Sequence, residues 1–299
     1  MPTPTLAERA SARIQTSSSL ERFWGALDRL VSPADAESFW LVEEAFGELV
    51  RSDFLRSLVT AELTAMNRDG RHIPHGGLTE LDLAVFQGDK ASLALRIVEP
   101  STETPERLYS RCEHTLMCPL PLDGASDFRF ESFLQPDPFP AELLDTSRRL
   151  VPRGVRSVPP GAIERIRLGY DLFRALPTEV PTVLLFLVSR TSSPIQWEYD
   201  LETLLPVRAI SSSAAASRLQ FTARMLSELG DASSLEALSP LLTHPAHYVR
   251  WSAVQAIARL DRGAGLRALA QLCDDDHPHV RNAAESALNR LRSTSATPA

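Results

Sequence analysis

The sequence predicts an α+β protein in three parts: a helical N-terminal segment, a β-sandwich or barrel, and a C-terminal stack of helical hairpins. Three observations support this fold class. Apolar residues recur at helical spacing near the N-terminus, short strand-like segments fill the middle, and an internal repeat occupies the C-terminal part. We place the three parts at residues 1–78, 79–212 and 213–299.

The N-terminal segment carries its apolar residues at helical spacing. In "LERFWGALDRLVS", Phe23, Leu27 and Leu30 recur every three or four positions, and Ser32 followed by Pro33 ends the run. The next run, from "ADAESFW" to "ELTAM", has a similar apolar face. It predicts either one long helix or two helices in tandem.

Short strand-like segments make up the middle of the chain. Each is bounded by Gly, Pro, Asp or Ser, and proline is abundant from residue 100 to 195, as expected at strand ends and turns. In "DFRFESF", Phe128, Phe130 and Phe133 alternate, with one slip, with charged residues, which predicts one buried face. Many short strands separated by turns are typical of a sandwich or barrel.

The C-terminal part contains two copies of one pattern, "SLEALSPLLTHPAHYVRWSAVQAIARL" and "GLRALAQLCDDDHPHVRNAAESALNRL". Val249 and Arg250 recur 31 positions later as Val280 and Arg281. Each copy predicts a short helix, a turn, and a second helix that opens with Val-Arg. The repeated arginine can reach an acidic group of the neighbouring copy, with Asp231 and residues 274–276 as candidates.

The phrase D-x-x-x-V-R-x-A-A-x-A-L is nearly complete over residues 275–288. Residues 230–293 resemble the HEAT-like repeats of the phycobilisome-lyase type. A helical hairpin of this kind cannot bury its apolar face alone and needs neighbours. The resemblance implies a surface for a protein partner, and the alternative is a structural cap on the β-domain. The predicted inter-helix turns contain four histidines: His244, His247, His277 and His279. They are either separate, solvated turn residues or a cluster of imidazoles that titrate together near pH 6–7.

Composition and charge exclude several classes of protein. The chain has 31 basic and 38 acidic residues and a net charge of −7, so it lacks the basic excess typical of nucleic-acid binding. No run of 18 apolar residues exists, so no membrane span is expected. The N-terminus lacks the apolar core of a secretory signal, and three cysteines argue against a disulfide framework. We therefore expect a reducing, cytoplasmic location.

The stretch "RCEHTLMCP" concentrates metal-binding residue types. Cys112, His114 and Cys118 are separated by even numbers of residues, so on a strand they share one face. Such a face suits a metal clamp, but three buried strand positions give the same spacing, and free cysteine packs as a small hydrophobe. A redox pair of the two cysteines is disfavoured, because six strand residues span about 20 Å.

Two phrases resemble the metal-binding motifs of the cupin superfamily. In "SVPPGAIERI", Pro159 and Gly161 match the turn of the second motif, P-x-G-x-x-H, and Glu164 replaces its histidine. "CEHTLMCPLPLDG" aligns with the first motif, H-x-H-x(3,4)-E-x6-G, with Cys112, His114 and Cys118 at the ligand positions.

The resemblance, which covers about residues 20–205, is to the thiol-dioxygenase branch, and three of the four ligand positions differ from it. It implies a cupin-like barrel whose ligand set would be Cys112, His114, Cys118 and Glu164. Two thiolates and an imidazole favour zinc over iron. Tyr170, which follows the Pro-Gly turn, is a candidate for the wall of a pocket, and a homodimer is a further expectation.

Two functions remain open from the sequence. The first is a degenerate cupin-like protein that binds a small molecule or a partner and presents a HEAT-like interaction surface. The alternative is a metal-dependent cupin enzyme, of an oxygenase type or a related small-molecule tailoring activity, with an altered ligand set. We favour the first, because a ferrous oxygenase without its histidines has no obvious way to activate oxygen.

Overall fold

A computed structural model describes residues 17–70, 82–100, 107–135, 145–190, 193–231 and 233–295. The chain divides into two compact units, Met1–Ile210 and Ser211–Ala299. The first unit contains helices and β-sheets, and the second is helical. The predicted α+β class, with N-terminal helices, a strand-rich middle and C-terminal helical repeats, is confirmed.

The first unit opens with four short helical elements. They are α1 (Ser18–Leu30), a 3₁₀ helix (Ala36–Val42), α2 (Glu43–Val50) and α3 (Phe54–Arg68). The Ser17 side chain caps α1 by accepting the Leu20 N–H. The second predicted run is divided into three pieces. The break between α2 and α3 falls at Ser52, whose hydroxyl donates to the Leu49 carbonyl at 2.7 Å and accepts the Phe54 N–H at 3.2 Å.

The strands that the structure describes form three sheets. They are β1 (Asp82–Gln87), β2 (Ala91–Val98), β3 (Arg107–Tyr109), β4 (Thr115–Pro119), β5 (Phe128–Leu134), β6 (Val151–Val158), β7 (Glu164–Ile166), β8 (Asp171–Ala175), β9 (Thr182–Ser189), β10 (Ile195–Asp200) and β11 (Pro206–Ser211). The strand orders are β1-β2-β9-β4-β7, β6-β5-β8 and β11-β10-β3. Strands that are adjacent in the five-stranded sheet, such as β2, β9 and β4, are distant in sequence. The chain therefore crosses from one sheet to another between them, as in a β-sandwich, and does not form a meander of consecutive strands.

The five-stranded sheet is buried on both faces. On one face, Cys118 and its strand neighbour Leu116 pack with apolar residues of α1, the 3₁₀ helix and α2. On the other face, Met117 packs with Phe128 and Phe130 of the second sheet. Burying a large apolar side chain contributes about 1.5–3 kcal/mol. The helices, the five-stranded sheet and the β6-β5-β8 sheet therefore form successive layers, with a separate core on each side of the central sheet.

The second unit consists of one helix followed by two helical hairpins. The elements are α4 (Ala214–Leu229), α5 (Ser234–Leu238) with a 3₁₀ turn (Ser239–Thr243), α6 (His247–Leu260), α7 (Arg262–Leu272) and α8 (Pro278–Ser295). The two copies of the sequence pattern are therefore helical hairpins. α5 changes to a 3₁₀ turn at Pro240, which has no N–H to continue the α-helix. α7 approaches α6 closely at Gly265, where a Cβ would lie 2.5 Å from the Ala258 Cα. Among the described residues, no helix is long and apolar enough to cross a membrane.

Candidate functional site

His114 immediately precedes β4 and lies on the helix-facing side of the central sheet. Its Nδ1 accepts a hydrogen bond from the Leu168 N–H at 3.2 Å, and its ring lies against Phe39 and Trp40, at centroid distances of 6.3 and 4.7 Å. Burial lowers the pKa of His114, although Glu37, 4.0 Å from Nε2, acts against this. The Nδ1 lone pair is therefore already engaged by the Leu168 N–H, and a neutral ring in this hydrogen bond carries its proton on Nε2.

The two cysteines are buried and their thiols donate to backbone carbonyls. Cys112 Sγ donates to the Ile195 carbonyl and Cys118 Sγ to the Pro119 carbonyl, each at 3.3 Å. Burial raises the pKa of Cys118 to about 11. Burial therefore favours the neutral thiol, which suits the packing of Cys118 as a small hydrophobe in the core on the helix-facing side of the sheet.

Glu164 lies on the opposite face of the central sheet from Cys118. In the antiparallel pair of β4 and β7, Glu164 is directly across from Met117, so both side chains are on the face towards the second sheet. Glu164 accepts a hydrogen bond from Arg156 Nη2 at 3.0 Å. Burial raises the pKa of Glu164, and the charge of Arg156 opposes this rise.

The sequence-predicted metal ligands therefore do not come together. Cys118 and His114 face the helices, whereas Glu164 faces the second sheet. Within the described ranges, no three His, Cys, Asp or Glu side chains are grouped so that they could hold a metal ion. A zinc site needs three or four such atoms about 2.0–2.3 Å from one point. The residues present do not fit a zinc or iron centre built from the predicted set.

The glycine turn before β7 is formed as the sequence predicts. Gly161 has a φ of +84°, a conformation that favours glycine, and its N–H donates to the Pro119 carbonyl at 2.7 Å. Tyr170 lies in the turn between β7 and β8, with the Arg167 guanidinium 5.2 Å from its ring centroid. Arg167 in turn donates to Asp171 at 2.8 Å. The Tyr170 ring therefore lies against the partly exposed cation of Arg167.

The space between the central sheet and the β6-β5-β8 sheet contains mainly apolar side chains. Phe130 lies 5.8 Å from Phe128 and 5.4 Å from Phe173, centroid to centroid. Met117 and Phe186 pack against the same group from the central sheet. Aromatic contacts at these distances are those of a packed core. The arrangement suits folding stability. Charged side chains reach the same rings: the Arg156 guanidinium, which pairs with Glu164, lies 6.0 Å from the Phe130 ring centroid, and that of Arg111 lies 4.6 Å from the Phe173 centroid.

In the helical unit, a buried ion pair joins the two hairpins. The Arg250 guanidinium binds both carboxylate oxygens of Asp275, at 2.7 and 2.5 Å, and also donates to the His244 carbonyl at 2.8 Å. Burial pushes the pKa of Asp275 up, but hydrogen bonds from Arg250 and the His277 N–H hold it below its usual value. The prediction that the repeated arginine reaches residues 274–276 is confirmed at Arg250.

Three of the four histidines of the repeats come together. His247 and His277 stack face to face at 3.6 Å, and His279 meets His277 at 5.3 Å. Burial, with the neighbouring His277 and Arg250, lowers the pKa of His247 to about 4. His244 instead accepts the Ala246 N–H. The expectation of a group that titrates near pH 6–7 therefore does not hold for His247.

An open groove of about 420 Å³ lies between α4 and α6; we call it the HEAT groove. Its lining includes Gln220, Phe221, Arg224, Gln255 and Arg259, and no acidic residue of the described chain lines it. Gln220 Nε2 donates to the Ser252 hydroxyl at 3.3 Å, so the base of the groove is hydrogen-bonded. Sequence reasoning missed this groove, because α4 precedes the first recognisable copy of the repeat.

A second groove, of about 590 Å³, lies between α1 and α2 in the first unit. Both signs of charge line it, with Arg22 and Arg29 beside Glu21 and Glu48. Its charges therefore select no particular class of ligand.

Comparison with known proteins extends this description. A family model described as HEAT repeats matches residues 207–297. No curated protein matches the chain.

Among solved structures, one similar chain is a hydroquinone 1,2-dioxygenase in complex with Cd²⁺ and 4-hydroxybenzonitrile (11% identity, TM-score 0.29, covering 40% of this chain and 70% of that one). Another is the hydroquinone 1,2-dioxygenase of Sphingomonas sp. TTNP3 with 4-hydroxybenzoate bound (14%, TM-score 0.26, 40% and 71%). A third is an uncharacterised conserved protein with a double-stranded β-helix domain from Klebsiella pneumoniae (7%, TM-score 0.26, 44% and 90%). The helical hairpins and the matching family model agree that the C-terminal part of the chain is built of HEAT repeats.

Proposed function

We propose that this chain is a protein-binding adaptor whose HEAT repeats hold a partner in the HEAT groove. The observation that carries the proposal is the groove itself. It is open to solvent, has the exposed Phe221 ring on one wall, and contains Arg224, which makes no ion pair or hydrogen bond through its side chain with any residue that the structure describes. Helical repeat stacks bind partners on extended faces of this kind.

The β-sandwich unit has, in this proposal, a supporting role rather than a catalytic one. Two features support this part of the proposal. His114 and Glu164 lie on opposite faces of the central sheet, and the space between the sheets is packed with aromatic side chains. A metal-dependent oxygenase activity would need those side chains to converge. A small molecule within the barrel would have to displace packed phenylalanine rings.

Position-specific photocrosslinking tests the proposed function. A photoreactive amino acid is placed at Gln255, which lines the groove, or at Gln271 on α7, which is also exposed. Expressed in the cells that produce the protein, the chain labelled at 255 is expected to crosslink to a discrete partner, and the chain labelled at 271 is not. The crosslink should be lost with Arg224→Glu, and the purified partner should bind wild-type protein directly. Equal crosslinking from both positions, or none from 255, would contradict the proposal.

A further inference from the structure

An exposed apolar stripe lies on α4 beside the HEAT groove. Phe221, Met225 and Leu229 are spaced four residues apart, so they lie on one side of the helix, and their exposed fractions are 65%, 44% and 80%. α4 uses a different side, with Ala223 and Leu226, to join the core of the helical unit. Large apolar side chains that are exposed together mark interaction sites more often than single ones do.

Two arginines flank this stripe. Arg218 and Arg224 are exposed, and neither side chain makes an ion pair or hydrogen bond with a residue in the described ranges. On the far wall of the groove, Arg259 is already neutralised by Glu228 at 2.6 Å. The stripe and groove therefore carry uncompensated positive charge, on a chain whose net charge is −7.

The geometry of the stripe favours a helical ligand. Eight residues of an α-helix rise about 12 Å, so the stripe offers a straight apolar track of two turns. A helix laid along such a track places its own residues i, i+4 and i+8, or i, i+3 and i+7, against it. Its polar residues on either side then lie within reach of Arg218 and Arg224, which bind carboxylates bidentately.

We propose, on the basis of the proposed function, that the partner segment recognised here is an acidic amphipathic helix. Its apolar side chains cover Phe221, Met225 and Leu229, and its carboxylates pair with Arg218 and Arg224. A basic helix of the same apolar pattern is disfavoured, because Arg218 and Arg224 repel its cations.

Two labelled peptides and the full chain test this inference. Both peptides have about 16 residues, or four to five turns, and the same leucine pattern. One carries glutamates and the other lysines at the flanking positions. By fluorescence anisotropy the glutamate peptide is expected to bind, more weakly as salt rises, and at least about tenfold more tightly than the lysine peptide.

Matched variants locate the binding. Arg224→Glu and Phe221→Ser are each expected to weaken the glutamate peptide by about tenfold or more. Arg267→Glu, which changes another exposed arginine, on α7, should leave the binding of the glutamate peptide unchanged. Equal binding of the two peptides, equal effects of the two arginine variants, or no binding of the glutamate peptide overturns the inference. A wild-type dimer that Phe221→Ser converts to a monomer, with no peptide binding, would also overturn it and assign the stripe to a second copy of the chain.

The two proposals fail in different ways. If position 255 crosslinks to a partner and neither peptide binds, protein binding stands and the acidic helix is wrong. If the glutamate peptide binds at Arg224 and position 255 gives no crosslink, the surface has the inferred specificity and the adaptor function is wrong.

Discussion

His114 is held in one tautomer by its surroundings. Its Nδ1 accepts the Leu168 N–H, and its ring contacts Phe39 and Trp40 of the 3₁₀ helix. The residue therefore connects the β7–β8 turn, β4 and the helical layer. In this arrangement its contribution is to stability, which can be measured without any knowledge of a partner.

His114→Ala is expected to reduce the free energy of unfolding by about 3 kcal/mol, because it leaves a cavity and an unpaired N–H. His114→Asn, which keeps an acceptor near Nδ1, should cost less. The measurement is urea denaturation followed by tryptophan fluorescence, with and without EDTA. If EDTA alone lowers wild-type stability to that of His114→Ala, His114 acts as a metal ligand and this account of it is wrong.

The lowered pKa of His114 also predicts a pH dependence. In the unfolded chain His114 takes up a proton near pH 6.5, whereas in the folded chain it takes up the proton only at lower pH. The stabilisation is present above about pH 6.5 and is lost as the pH falls through the folded pKa. Denaturation at pH 7.5 and 5.5 should show a smaller pH dependence in His114→Ala than in the wild type; an equal dependence would contradict this assignment.

The pair of Arg250 and Asp275 provides a second test at the residue scale. Arg250→Ala should destabilise the helical unit by about 3 kcal/mol or more, because it leaves a carboxylate buried without its partner. The matched control is Arg259→Ala, which breaks an exposed ion pair and should cost less than about 1 kcal/mol. Thermal unfolding followed by circular dichroism checks both. Equal costs would mean that Asp275 is not buried as described.

At the scale of elements, the sequence predicts much of the pattern but not which side of each strand meets which layer. Alternation in "RCEHTLMCP" predicts that Cys112, His114 and Cys118 share a face. His114 and Cys118 do face the helices together, whereas Cys112 lies in a bend before the strand begins, with its thiol on the Ile195 carbonyl. The alternation does not predict that this face packs against helices, because every residue of β4 is buried and both faces of the strand are apolar. The position of Glu164 depends on its pairing with Met117, a long-range register that no local pattern encodes.

The close approach of α6 and α7 gives a prediction for a single element. Gly265→Ala would place its Cβ 2.5 Å from the Ala258 Cα, so the helices must separate and the unit should lose about 1–3 kcal/mol of stability. Gly263→Ala, in the same helix, has its nearest neighbour at 3.3 Å and should change stability by less than about 1 kcal/mol. Thermal unfolding of both variants is the measurement. Equal effects would show that this helix contact is looser than described.

At the scale of the whole molecule, the chain combines two units with separate cores. Sequence repeats predict the helical unit well, since helical hairpins are local and their pattern recurs at a fixed spacing. The cupin-type motifs predict the glycine turn correctly, but the ligand set that they imply is not brought together among the described residues, because a ligand set depends on where distant strands place their side chains. The binding surface on α4 lies outside the recognisable repeat, and only the packed structure shows which of its sides is exposed.

Metal content separates this account from the enzymatic alternative. Protein purified from cells supplied with iron and zinc is expected to contain far less than one equivalent of either, and His114→Ala should not change the amount. Elemental analysis after exhaustive dialysis is the measurement. One equivalent of zinc or iron that is lost with His114→Ala or Cys118→Ala would restore the metal-dependent assignment.

The central claim is that a partner binds the HEAT groove. Hydrogen–deuterium exchange of the full chain, with and without the partner that photocrosslinking identifies, tests this claim most directly. The account predicts that the partner slows exchange in α4 and α6, at residues 214–229 and 247–260, and that Arg224→Glu abolishes this protection. Protection centred on β4 and β7, with none in α4, would instead place the working surface in the β-sandwich and contradict the account.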